Sequence, residues 1–225
     1  MNLRVTGAGL TLTMLLTAGC PAFATASVAT STAAEVTEAE PEVVPESGAM
    51  PLFVPTDFNV PILVETKDFK LVPLGPELVN IDFDAYMSSI EHIQKTFTRS
   101  TNWPRKDISN ADAMKDMKIE QARFKNRESF AFAVLTPDGS RERGSLYVYP
   151  SAIEGYDAVV TMWVTKAEYD AGFDVELYEW ATNWVKTDWP FEKVAYPARA
   201  IDWDSWDAIV AADSAKEVAP EELNH

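Results

Sequence analysis

Hydrophobic positions alternate with a period of two across residues 129–135: Phe130, Phe132 and Val134 on one side, Ala131, Ala133 and Leu135 on the other. That period places successive side chains on opposite faces of a strand. Residues 143–149 and 156–164 continue the pattern, the latter with Tyr156, Ala158, Val160, Met162 and Val164 on one face. Pro137-Asp138-Gly139-Ser140 supplies the first reversal and residues 150–155 the second, which predicts a three-stranded antiparallel meander. The period then changes to 3.6: Leu177, Tyr178, Ala181, Trp184 and Val185 form the stripe of a helix that Asp174 is expected to cap and Trp189-Pro190 to end. Residues 192–196 form a short strand. Strand, helix, strand is a crossover, so this last strand is expected parallel to 156–164.

Upstream, residues 69–74 predict a first strand that Gly75-Pro76 stops. Residues 77–97 carry one helical stripe of Phe83, Tyr86, Met87, Ile90, Ile93 and Phe97. A polar loop around Trp103-Pro104 follows. Ser109 or Asn110 then caps a second helix to about Lys125, with Ala113, Met114, Met117 and Phe124 inward. Residues 51–64 are apolar but broken by Pro51, Pro55 and Pro61, so an arm at the sheet edge or outside it is expected. Trp203, Trp206, Ile209 and Val210 would lie on the body through one or two amphipathic turns. The expected domain spans 51–210, and residues 211–225 form an acidic tail expected to fray.

The beginning of the chain has a different character. Arg4 is the sole charge before Glu35, and residues 10–16 are an apolar run too short to span a bilayer. Ala22-Phe23-Ala24 fits a signal-peptidase site, which predicts a signal peptide over 1–24. Leu16-Thr17-Ala18-Gly19-Cys20 fits lipoprotein processing, with a lipid anchor on Cys20. Either route exports the domain to the periplasm, the cell envelope or the medium. Residues 25–50, rich in Ala, Thr, Glu and Pro, read as a disordered linker. Cys20 is the one cysteine, so the domain beyond it has no disulfide and no nucleophilic thiol.

The net charge of −16 changes the choice of partner: its field repels nucleic acid and anionic membrane surfaces, and no membrane insertion of the domain is expected. With His92 and His225 the only histidines and no ligand-like spacing of Cys, His, Asp and Glu, no metal site is expected. His92 falls off the helical stripe, as a surface or edge histidine does.

The α/β order β-α-α-β-β-β-α-β, a mixed and mostly antiparallel sheet, resembles the GCN5-related N-acetyltransferase (GNAT) superfamily. Further likeness lies in Phe69-Lys70-Leu71-Val72-Pro73-Leu74-Gly75-Pro76, Gly144-Ser145-Leu146-Tyr147-Val148-Tyr149-Pro150-Ser151, Met162-Trp163-Val164 and Trp189-Pro190-Phe191, similar to a GNAT-like bacterial subgroup. The resemblance implies a splayed parallel pair at β4/β5 of that order, with acetyl-CoA between them. It assigns the pantetheine to Met162, Trp163 and Val164, and the pyrophosphate to the following loop with Lys166 and Gly172. Asp157, Glu154 and Tyr196 are the acid and base candidates it leaves, and the acceptor is a small-molecule amine or another ligand.

The loop departs from the family pattern. It has one glycine, Gly172, where two are expected, and Glu168, Asp170, Asp174 and Glu176 crowd it with Lys166 as its one base. Like charges in a partly dry site cost about 1 kcal/mol or more each, whereas an exposed helix dipole returns only about 0.3–1 kcal/mol. Two functions follow: acyl-CoA-dependent transfer to an amine, or a catalytically degenerate module that binds a small ligand, glycan or protein. A third, glycan hydrolysis, has only scattered carboxylates behind it.

Overall fold

The computed structural model describes residues 52–218, all within the compact unit Gly48–His225. The signal-peptide and linker segments, 1–24 and 25–50, lie outside the described residues, as do Cys20 and residues 219–225. Six strands form one sheet in sequence order: β1 Val64–Glu65, β2 Lys70–Pro73, β3 Phe130–Leu135, β4 Glu142–Pro150, β5 Ala158–Val164 and β6 Val194–Ala195. Every neighbouring pair is antiparallel except β5 and β6. The parallel pair is therefore β5/β6 and not β4/β5, because the end of the apolar arm adds an edge strand before the first predicted one.

The two-residue period divides the core between the sheet's faces. Phe130, Phe132, Val134, Leu146, Val148, Val160 and Met162 face α5 (Phe173–Asp188) and bury Leu177, Ala181, Trp184 and Val185. Ala131, Ala133, Leu135, Tyr147 and Trp163 face the other layer, made by α1 (Val79–Met87), α2 (Ile90–Ile93) and α3 (Asn110–Lys125). Ser109 caps α3 with a reciprocal bond to Asp112, as its position before the stripe predicts.

Three helical expectations need correction. The stripe over 77–97 is interrupted: Ser88 Oγ donates to the Ala85 carbonyl at 2.6 Å and Ser89 leaves the helical region, so α1 stops at Met87. A π turn, Gln94–Thr98, then ends on the left-handed Arg99. Second, Asp174 does not cap α5. Thr165 caps a short α4 (Lys166–Asp170), Gly172 turns the chain at φ 88°, and Asp174 lies inside the first turn of α5. Third, the segment around Trp203 is a full helix, α6 (Trp203–Val218), which residues 211–218 continue. Asp202 accepts the Ser205 N–H at its start, and Arg99 clasps Asp207 along it.

Candidate functional site

Strand β5 and its exit make the first site. The Thr165 N–H donates to the Arg143 carbonyl, so the odd-numbered residues of β5 turn their backbone groups to β4 and the even-numbered ones turn away. Strand β6 pairs only with Ala158 and Val159. The backbone of Met162 and Val164 thus faces an edge that no described strand covers. Their side chains sit in the core against α5, while Trp163 lies on the opposite face and donates from Nε1 to Tyr147 Oη at 3.3 Å.

The turn that follows is filled by its own contacts. The Lys166 N–H donates to Ser89 Oγ at 2.8 Å and the Glu168 N–H to Thr165 Oγ1 at 3.3 Å. Each of three acids has a cation. Glu168, buried, accepts from Arg141 at 2.6 Å and from Arg143 at 2.5 and 2.9 Å. Burial pushes this carboxyl up, but the Arg143 and Arg141 hydrogen bonds outweigh it and hold Glu168 below the usual carboxylate range. Asp170 holds Lys166 Nζ at 2.6 Å, and Asp174 meets Arg199 in a two-point pair at 2.6 and 2.7 Å. The Arg143 guanidinium also lies 3.3 Å from the Phe173 ring centre, which ties β4 to the first residue of α5. Gly172 supplies a positive φ between the two helices.

His92 belongs to this neighbourhood, at the edge position expected of it. Its ring stands 4.7 Å from that of Tyr169, and both line a groove with Lys166 and Ser89. Burial lowers its pKa, with Asp174 opposing and Lys166 assisting.

The other sequence-derived candidates lie elsewhere. Asp157, exposed at the foot of β5, accepts the N–H groups of Glu192 and Lys193 at 2.8 and 2.7 Å; these bonds hold its carboxyl below the usual range and anchor the return into β6. Glu154 is exposed in the turn before it. Tyr196, just past β6, is buried on the α5 side with its ring 5.8 Å from that of Tyr178, and burial raises its hydroxyl to about 12.

The second site is a cavity of about 210 Å³ between α1, α3 and β4. Asp82 and Tyr86 come from α1, Asp116, Met117 and Glu120 from α3, Tyr147 and Tyr149 from β4, and Phe97 and Trp103 from the connecting segment. Asp82 is buried beside the buried Glu142, whose Oε1 accepts from Ser145 Oγ at 2.8 Å and whose Oε2 is buried without a partner. Burial raises Asp82 to about 7, relieved in part by Glu142 and reinforced by Asp116; burial likewise pushes Glu142 well up. None of these acids stood out in the sequence. The signal that could have found them is spacing: Asp82 and Tyr86 stand four residues apart on α1, and Asp112, Asp116 and Glu120 repeat every four on α3.

Among the described residues no group of three or more His, Cys, Asp or Glu is placed to hold a metal ion, and no helix is long and apolar enough to cross a membrane.

No protein-family model and no curated protein matches the chain. Its structural neighbours are acetyltransferases of low sequence identity. One is a ribosomal-protein-S5-alanine acetyltransferase from Vibrio fischeri, at TM-score 0.48 and 10% identity over 68% of this chain and 81% of that one. Another, assigned to the GNAT family, is from Bordetella pertussis, at 0.46 and 14% over 69% and 87%. A candidate ribosomal-protein-serine acetyltransferase from Vibrio cholerae gives 0.43 and 13% over 54% of this chain and 65% of its own length. These likenesses transfer no residue role to the chain.

Proposed function

We propose that this is an exported ligand-binding module with a GNAT-like order of elements, in which the turn that would take the cofactor's pyrophosphate is closed. One observation carries this: the amides of Lys166 and Glu168 donate to Ser89 and Thr165, and Lys166, Arg141, Arg143 and Arg199 are each engaged by an acid of the same turn or of the first turn of α5. A diphosphate needs free N–H groups and uncommitted positive charge. Export rests on residues 1–24, by signal peptidase or with a lipid on Cys20.

The open edge of β5 favours a second reading, an acyl-CoA-dependent transferase in which Met162 and Val164 pair with the pantetheine. In that case Asp157, Glu154 or Tyr196 handles protons, and an amine is the acceptor. Calorimetric titration of the full chain with acetyl-CoA separates the two. The module predicts no heat of binding at millimolar cofactor. Saturable binding that Lys166→Ala abolishes would overturn the module reading.

A further inference from the structure

The cavity between α1, α3 and β4 is chemically one-sided. Five of the residues that line it are aromatic and three are carboxylic acids, and no Lys, Arg or His is among them. The rings stand as a connected wall: Phe97 stacks on Tyr147 at 5.7 Å, Tyr147 on Tyr149 at 5.7 Å, and Trp103 meets Tyr86 at 5.2 Å. Aromatic faces carry the negative part of the ring quadrupole, so such a wall attracts a cation and gives an anion nothing.

The polar groups inside are also incompletely used. Tyr86 is 3% exposed, and burial with Asp82 and Asp116 nearby pushes its hydroxyl pKa up, so it stays protonated. Asp82, 6% exposed, stands against the buried carboxyl of Glu142, whose Oε2 has no partner. Glu120 gives one oxygen to Arg123 at 2.8 Å, while its other, Oε2, is buried without a partner. Buried acceptors left in this state cost about 1–3 kcal/mol each, a cost that a bound donor or cation would relieve.

We infer that this cavity is a binding site for a compact organic cation of the alkylammonium class. The inference rests on the module reading above and gives that module a ligand chemistry. Size agrees: about 150 Å³ is enough to hold benzene, and the 210 Å³ here admits a trimethylammonium head with a short polar arm. The rings surround the methyl groups, and the carboxylates balance the charge. Asp116, exposed on α3, stands at the mouth, where it attracts the cation before it is desolvated.

The test is calorimetric titration of the full chain, at about pH 8 so that Asp82 is largely ionised, with choline chloride and with 3,3-dimethyl-1-butanol, its uncharged isostere. Choline should bind saturably, and the alcohol about tenfold more weakly or worse. Asp116→Asn and Glu120→Gln, with folding checked by thermal melting, should each weaken choline about three- to tenfold and leave the alcohol unchanged. Equal affinity for the two probes, or no saturation by choline at tens of millimolar, overturns the proposal. Acetyl-CoA binding would remove the module reading while choline binding still reported on the cavity, so the two failures are distinguishable.

Discussion

The hydroxyl of Ser89 accepts the backbone N–H of Lys166 at 2.8 Å, joining the break between α1 and α2 to the exit of β5. The proton order in this contact is determined. Ser88 donates to the Ala85 carbonyl, so Ser89, 3.0 Å from Ser88 Oγ, donates to Ser88 and can only accept from Lys166. Ser89→Ala should leave a part-buried amide without its partner and destabilise the fold by about 1 kcal/mol. Amide hydrogen exchange should show the largest loss of protection at Lys166; unchanged exchange there would contradict the proposed closure.

The Asp82–Glu142 pair predicts a particular pH dependence. Asp82 titrates near 7 in the folded chain against an ordinary value of 3.8, so between those values the folded state holds the extra proton. Stability from this pair is present below about pH 4 and is lost as pH rises through about 7, by an amount on the order of a few kcal/mol. The groups facing it are Tyr86 on α1, Asp112, Asp116 and Glu120 on α3, and Ser145 on β4. Denaturant midpoints measured from pH 5 to pH 8 should fall in the wild type, and Asp82→Asn should flatten that slope. Parallel slopes would exclude the raised pKa of Asp82.

Glu168 has the opposite sign. Its folded value lies below the ordinary 4.5, so its contribution is present above that value and lost as pH falls through the folded one. Glu168→Gln leaves Arg143, itself mostly buried, without its counter-charge. A loss of about 2–4 kcal/mol is expected at neutral pH, shrinking in acid, by urea melting. Lys166→Met removes only an exposed pair and should cost no more than about 0.5 kcal/mol.

Gly144 marks a close approach of β4 to β5. A methyl group there would collide with the Trp163 carbonyl and the Val164 Cα, both backbone and unable to turn aside. Gly144→Ala should therefore cost about 3 kcal/mol or more. Gly172→Ala, in open space but at φ +88°, should cost about 1 kcal/mol. Thermal melting of the two variants ranks them.

The meander and the crossover were legible because Phe130, Phe132, Val160 and Met162 obey a local period that burial enforces. The break at Ser88-Ser89 was not, since Met87 and Ile90 carry the apolar stripe straight across it and only a hydrogen bond to the preceding turn stops the helix. Asp174 resembles a cap by position; its partner, Arg199, lies 25 residues away and on another element. Asp82 and Glu142 resemble surface acids for the same reason: their meeting depends on α1 crossing β4, which no window of sequence contains. The turn after β5 was located correctly, but its acids were counted without Arg141 and Arg143, which reach it from the neighbouring strand.

Those arginines also determine how the turn can move. Glu168 on α4 is fastened to the start of β4 and Asp174 on α5 to the segment beyond β6, so the turn cannot swing out without parting these ion pairs. Cleavage by a protease between Ala167 and Tyr169 would then follow the unfolding of the whole domain rather than a local fraying event.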